Sequence, residues 1–324
     1  GEYATLAPRS LKTTVAQFAP QFNNCYQHDS QEFCSFLMDG LHEDLNRVIE
    51  KPYIEDLEGR GLNDDVVAME SWRRHLLRHD SVIVDHCQGM HRSHLSCPDC
   101  GHESVKFDVY STISLPIPGG EGKKKIPLSA SLESFTSAEE LDEENAWYCS
   151  QCQKHVCAKK RITLWSTPDI LILHLKRFEF NSCKKVVGRI VRSKVETKVD
   201  FPVDGLDMRP YMKGPINEEY PPIYNLFGVS EHQGSTANSG HYTATVRNSR
   251  DGNWYRYNDS HVGMTSGDAS ITGGAYVLFY QRQKGKNRWA GMEALLNKHS
   301  SHPTPDVDDG FQEVVSKKNR KKRG

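Results

Sequence analysis

Ser239-Gly240-His241-Tyr242-Thr243-Ala244-Thr245-Val246-Arg247 and Trp254-Tyr255-Arg256-Tyr257-Asn258-Asp259-Ser260 flank the dipeptide Asp251-Gly252. That dipeptide between β-prone runs is one of the strongest short signals for a hairpin. Thr, Tyr and Val recur in the first run and Trp and Tyr in the second, as strands favour. A turn near residue 250 brings His241 back to Asn258, Asp259 and Ser260. An imidazole beside an amide and a carboxylate is the base-and-orienter half of a nucleophilic triad. The same pattern also describes a surface hairpin carrying an incidental histidine, so the remainder of the chain must choose.

The chain has 324 residues, enough for a large core, and a net charge of −1. No global field of either sign recruits nucleic acid or an anionic membrane. No apolar run approaches the roughly 18 residues of a spanning helix, and no secretory leader is visible. Residue 1 is Gly rather than Met, and the first residues read like a domain interior, so the expectation is a fragment. Nine cysteines, an odd number containing two tight pairs, argue against a disulfide scaffold and for a reducing compartment with a metal site.

Cys97-Pro98-Asp99-Cys100-Gly101 and Tyr148-Cys149-Ser150-Gln151-Cys152 each separate two cysteines by two residues. Four thiolates from two such knuckles make a closed tetrahedral zinc site, structural because no coordination position is left open. Gly101 suits the tight turn of the first knuckle. The 48 residues between Cys100 and Cys149 exceed a usual ribbon, so the chain must leave and return along two arms. His155 and Cys157 lie close enough in sequence to be alternative ligands. Free thiols or a redox pair are the competing readings.

Phe33, Phe36, Leu37, Leu41, Leu45 and Val48 recur at helical spacing, which predicts a helix over residues 28–49 with Asp29 and Glu32 as an Asp form of the capping box. A second helical pattern covers residues 66–88, with a short helix after Asp80 and Ser81. Val105–Leu115 reads as one strand, Glu121–Ile126 as a charged loop, and Leu132–Glu144 as a helix with an acidic turn. Arg161–Leu164 and Ile170–Phe180 are strand-like, and Ile170-Leu171-Ile172-Leu173-His174-Leu175 reads as a central strand buried on both faces. His174 is read as a core histidine. Lys184–Val199 is a hairpin or a loop, and Pro221–Glu231 and Ala275–Gln281 are strands. The Gly/Ser-rich residues 231–240 form either a mobile gate or a simple hairpin loop. Trp289–Leu296 reads as a helix and residues 299–324 as a polar tail, in which six of the seven residues Lys317–Arg323 are basic.

Gln27-His28-Asp29-Ser30-Gln31-Glu32-Phe33, the two knuckles, Leu173-His174-Leu175-Lys176-Arg177-Phe178, and Gly240-His241-Tyr242-Thr243-Ala244 with Trp254 and Asn258-Asp259-Ser260 occur in one order over about residues 5–283. As an ordered set they resemble the ubiquitin-specific proteases, cysteine peptidases of papain-like fold. The resemblance implies an α+β fold with thumb, zinc-ribbon fingers and a β-rich palm. It divides the chain into a catalytic domain over residues 1–285, with a partial thumb at 1–87, fingers at 88–165 and palm at 166–285, and a tail at 286–324. It implies hydrolysis of the bond after the C-terminal glycine of ubiquitin, with His241 as general base, Asn258 as third triad member and Asp259 as an adjacent carboxylate. Asp29 and Gln31 match positions beside the basic ubiquitin tail, and Phe178 and Tyr242 match positions lining its narrow tunnel. Cys97, Cys100, Cys149 and Cys152 match the structural zinc ligands. The implied partners are ubiquitin and ubiquitinated proteins in cytoplasm or nucleus, with no membrane, and nucleic acid at most through the basic tail.

One departure from the family pattern is large. The box of Gly, Asn, Thr, Cys, Tyr and Met-Asn around the catalytic cysteine is not in this sequence. Cys25 stands in the wrong context, and Cys34 falls inside the predicted helix. The expectation is a cysteine deubiquitinase whose nucleophile lies upstream, so that this chain alone is inactive. The alternatives are a zinc-stabilised ubiquitin-binding scaffold that has lost the thiol, and a zinc-ribbon nucleic-acid binder, which the neutral charge disfavours.

Overall fold

The computed structural model describes residues 8–24, 26–55, 57, 62–118, 124–179, 185–186, 189–190, 193–236 and 239–284. Cys25, residues 121–123 of the expected charged loop, residues 184, 187–188 and 191–192 of the 184–199 segment, and the predicted helix and basic tail beyond residue 284 lie outside them.

Four helices come first: α1 (Arg9–Phe18), α2 (Ser30–Asp44), α3 (Asp64–Leu76) and α4 (Val82–Cys87). Asp29 caps α2 as expected, with Oδ1 accepting the N–H of Gln31 at 2.7 Å and of Glu32 at 3.4 Å. The helix stops at Asp44, short of residue 49. There the chain turns away, and the Arg47 N–H donates to the Asp80 carbonyl at 2.7 Å, which ties the end of α2 to the α3–α4 turn. The second helical pattern resolves into α3 and, as expected, a short following helix, α4. Ser81 starts the latter, its hydroxyl accepting the Val84 N–H at 3.2 Å. α1 was not foreseen. It packs Val15 and Ala19 with Phe22 against Phe33 and Leu37 of α2.

The next strands are β1 (Gly89–Ser96), β2 (Glu103–Tyr110), β3 (Thr112–Leu115) and β4 (Lys125–Pro127). Helix α5 (Leu128–Thr136) is followed by β5 (Ala138–Glu140), β6 (Trp147–Cys149), β7 (Lys154–Val156) and β8 (Lys159–Ser166). Strands β2, β1, β8 and β5 form an antiparallel sheet in that order. Residues 105–115, expected as one strand, break at Ser111. The first part stays in this sheet, and β3 crosses to pair parallel with a strand of the larger one. A period-2 pattern cannot report such a change of partner.

The remaining strands are β9 (Ile170–Leu175), β10 (Phe178–Glu179), β11 (Lys185–Val186), β12 (Arg189–Ile190), β13 (Ser193–Lys194), β14 (Lys198–Asp200), β15 (Leu206–Asp207), β16 (Ile223–Thr236), β17 (Ser239–Arg247), β18 (Trp254–Asn258), β19 (His261–Thr265) and β20 (Ala275–Arg282). The larger sheet runs β19-β18-β17-β16-β20-β9-β3, with β15 beside β16. β9 lies between β20 and β3, with Leu171, Leu173 and Leu175 fully buried on one face and Ile172 buried on the other, as its apolar run predicts. The main core joins Ile113, Leu115, Leu132, Leu164, Tyr224 and Leu278 to those leucines. On the opposite face Cys34 of α2 packs with Ile172, Tyr276 and Val277.

Arg177 is wholly buried among these layers. It donates to the carbonyls of Val195 and Thr197, both at 2.9 Å, and to that of Ala275. Burial pulls its pKa down to about 10. It pins the 195–197 segment to the start of β20.

Candidate functional site

β16 and β17 form one long hairpin, with β16 running to Thr236 and β17 starting at Ser239. Residues 231–240 are therefore mostly strand. The register places Gln233 opposite His241, then shifts between Gln233 and Thr236. The turn expected near residue 250 joins β17 to β18, with Arg247 opposite Trp254. Gly252 takes φ +74°, and Asp251 Oδ1 accepts the Asn253 N–H at 2.9 Å. The hairpin from β18 to β19, missed in the sequence, turns at Asp259-Ser260, with Asn258 opposite His261. Asp259 sits at φ +50°, a conformation that Asp tolerates better than most residues.

This double hairpin sets His241 Nε2 at 2.6 Å from Asn258 Oδ1 and 3.9 Å from Asp259 Oδ2. An amide oxygen only accepts, so Nε2 carries the hydrogen and Nδ1 is left with its lone pair. The imidazole is 40% exposed and Asp259 80% exposed, so the group opens to solvent. His241, Asn258 and Asp259 are thus brought together.

Gln27 holds the other end of the motif, a contact the sequence did not reveal. Its Oε1 accepts the Gly240 N–H at 2.6 Å, and its Nε2 donates to the Gly240 carbonyl. Both peptide groups flanking Gly240, the residue before His241, are thereby clasped to the approach to α2. Gly240 has φ +153°, and a Cβ there would press on the Gln233 carbonyl and lie 2.6 Å from His232 Nε2. Only glycine fits this approach. Its place before the histidine was the available signal.

Asp29 has two duties. Oδ1 caps α2, and Oδ2 accepts the Tyr276 hydroxyl at 2.5 Å. Tyr276 in turn meets Phe178 at 5.4 Å and Tyr242 at 6.3 Å between ring centroids. Phe178 and Tyr242 also flank the buried His232 ring, at 5.2 and 4.8 Å. Burial pushes the Tyr242 phenol up to about 12, so it stays neutral. Asp29, Phe178 and Tyr242 therefore share one aromatic wall. Gln31 instead donates along its own helix to Ser35 Oγ at 2.9 Å. His174, read as a core histidine, is half-buried and packs on Tyr276 at 4.9 Å between ring centroids, its Nδ1 3.0 Å from Ser114 Oγ and its pKa lowered by burial to about 4.

Each cysteine knuckle is the turn of a β-hairpin, β1–β2 and β6–β7. In both, the residue four beyond the first cysteine donates its N–H to that cysteine's carbonyl: Gly101 to Cys97 at 3.0 Å and Gln153 to Cys149 at 2.8 Å. Both take the left-handed conformation, at φ +72° and +54°. The Sγ pairs Cys97–Cys152 and Cys100–Cys149 stand 3.8 and 3.7 Å apart, and all four sulfurs lie within 4.8 Å of one another. Tetrahedral ligation at a Zn–S bond of about 2.3 Å requires sulfurs about 3.8 Å apart. The four thiolates thus fit a structural zinc ion. Among the described residues neither His155 nor Cys157 joins the cluster.

Among the described residues outside that cluster, Cys34 and Cys87 have thiols raised by burial, Cys87 to about 11, and Cys157 is exposed beyond β7. A buried thiol with a raised pKa is a poor nucleophile.

Residues 2–280 match the model of the family described as ubiquitin carboxyl-terminal hydrolase. Ubiquitin carboxyl-terminal hydrolase 2 of Homo sapiens is 37% identical over 276 residues, spanning 85% of this chain and 44% of the relative. Its counterpart in Gallus gallus is 36% identical over 277 residues, spanning 86% and 74%. The chain thus spans less than half the length of the human relative. Among solved structures, a chain of the SAGA Ubp8/Sgf11/Sus1/Sgf73 DUB module bound to ubiquitin aldehyde superposes with a TM-score of 0.60 at 25% identity, covering 85% of this chain and 54% of that one. No helix among the described residues is long and apolar enough to cross a membrane. With the family model over most of its length, a relative matched over three quarters of its own, and the α+β fold of the SAGA module, this chain belongs to the ubiquitin carboxyl-terminal hydrolase family, whose activity is thiol-dependent deubiquitination.

Proposed function

We propose that this chain supplies the base, its orienter and the substrate cleft of a deubiquitinase that cleaves after the C-terminal glycine of ubiquitin. The nucleophilic thiol comes from sequence upstream of residue 1. The observation that carries the reading is the 2.6 Å contact between His241 Nε2 and Asn258 Oδ1, which leaves Nδ1 as the basic nitrogen. That nitrogen takes the proton of a thiol placed against it. The thiolate attacks the glycine carbonyl, and the imidazolium returns the proton to the departing lysine amine. Water, activated by the same imidazole, then releases the acyl group. Asn258 orients the ring but carries no charge, so Asp259 at 3.9 Å is the carboxylate that stabilises the imidazolium.

Helices over residues 8–87 are then the thumb, the sheet with the zinc knuckles the fingers, and the larger sheet the palm. On this reading Asp29, through the lone pairs left by its cap and Tyr276 bonds, and Gln31, once released from Ser35, take the basic tail of ubiquitin, and Phe178 and Tyr242 line the passage for its glycines.

A fluorogenic ubiquitin substrate tests this. The 324 residues alone should bind ubiquitin without turnover. The natural protein with its upstream sequence should hydrolyse the substrate and lose that activity in His241→Ala. Turnover by the 324 residues alone, abolished by His241→Ala, would place the nucleophile within them and overturn the assignment. An upstream sequence without cysteine would favour the inactive scaffold.

A further inference from the structure

Away from the cleft, the end of α2 meets the α3–α4 turn at a group of titratable side chains with no part in the chemistry above. His42 Nε2 lies 3.0 Å from His79 Nδ1 and 3.8 Å from Glu43 Oε1. The three donor atoms all fall within 4.8 Å of one another. We propose that His42, Glu43 and His79 form a second metal site, separate from the four cysteines, for an imidazole-preferring divalent ion such as Ni2+ or Zn2+.

Two ring nitrogens bound at about 2.1 Å stand about 3.4 Å apart in tetrahedral geometry and about 3.0 Å apart in octahedral geometry. The observed 3.0 Å matches the octahedral separation, and the ion enters once the two rings, which now face each other across a shared hydrogen, turn their lone pairs toward it. On binding, the hydrogen now shared by the two facing nitrogens moves to the other nitrogen of its ring.

The outer partners are those of a metal-binding histidine. His42 is buried, and its Nδ1 is held 2.8 Å from the hydroxyl of the fully buried Ser81. A second hydrogen bond of that kind fixes ring orientation and tautomer at metal sites. His79 is held in place by His75, stacked on it at 4.8 Å, whose Nε2 is 2.8 Å from Gln88 Oε1. His75 and His79 also line a cavity of about 530 Å³ that opens to solvent, so His79 is reachable from outside the fold. Glu43 is half exposed, which leaves water to complete the coordination.

One residue opposes the ion. Lys51 Nζ lies 2.7 Å from both oxygens of Glu43. Its ammonium competes for the carboxylate and repels a cation, so it sets the affinity. With the ion bound, the C-terminus of α2 is stapled to the turn that starts α4.

Isothermal titration of NiCl2 into the full chain holding a single zinc equivalent and freed of excess zinc tests the site. One equivalent of Ni2+ should bind at micromolar concentration and raise the thermal midpoint. His79→Gln should weaken binding at least tenfold and remove the thermal shift, with circular dichroism unchanged. Lys51→Ala should tighten binding several-fold, which a merely structural histidine pair would not do. Zn2+ should displace the bound Ni2+. Absence of a saturable equivalent, or an affinity unchanged in both variants, overturns the proposal.

Discussion

Asn258 decides which nitrogen of His241 is basic, because its oxygen can only accept and so holds the hydrogen on Nε2. On the proposed assignment, His241→Ala should lower kcat/KM for ubiquitin hydrolysis by about 10³-fold or more, within the usual worth of a general base. Asn258→Ala should cost less, about 10- to 100-fold, because the ring keeps its place but loses its orienter. Steady-state hydrolysis of ubiquitin-coumarin derivatives reads both. An Asn258→Ala loss equal to that of His241→Ala would mean that the amide does more than orient. Gly240→Ala is the sharper test of the clasp with Gln27. A Cβ at residue 240 presses on the Gln233 carbonyl and His232. Activity should fall by at least tenfold while the thermal midpoint moves by only a few degrees. Gln27→Ala should reproduce part of that loss.

At the scale of elements, two structures carry side chains to where chemistry needs them. The N-terminus of α2 depends on Asp29, which both caps the helix and accepts from Tyr276. Asp29→Ala should destabilise the protein by about 1–2 kcal/mol from the cap alone. Asp29→Asn keeps the cap, so in equilibrium urea unfolding it should recover most of the loss. The knuckles depend on the metal that the four sulfurs fit. Elemental analysis of protein freed of loosely bound ions should find about one zinc per chain. Chelation or Cys100→Ala should melt the β1–β2 and β6–β7 tips, seen as fast amide exchange there, and a zinc content near zero would remove the site. Both knuckles and the cap were legible in sequence, because each is a local pattern closed within a few residues. The break at Ser111 was not, since it reflects a change of partner strand. Nor was the short span of α2, which ends where the Arg47 N–H finds the Asp80 carbonyl.

Over the whole molecule, burial of histidines makes stability depend on pH. His75, His91 and His174 are each depressed to about 4, with burial the largest cause. Their neutral forms are the ones the fold holds. Above about pH 6.5 neither state is protonated at these rings and the stability is complete. Between about pH 6.5 and 4 the unfolded chain takes up protons that the fold refuses, so stability falls as the pH falls. Calorimetry across that window should show the thermal midpoint dropping by several degrees. His91→Phe should flatten the slope, because the His91 ring stacks on Tyr110 and its Nε2 is buried without a partner.

The sequence by itself determined the local features of this protein. The hairpin around Asp251-Gly252, the cap at Asp29, the two cysteine turns and the apolar run of β9 are each written in neighbouring residues, where turn chemistry and periodicity act over a few positions. Only the tertiary structure decided the remainder. Gln27 reaches Gly240 across more than two hundred residues, Asp29 finds Tyr276, Arg177 gathers three distant carbonyls, and His42 meets His79. Such pairings are set by sheet order and helix packing, and a polar side chain shows no trace in its own neighbourhood of which distant group will satisfy it.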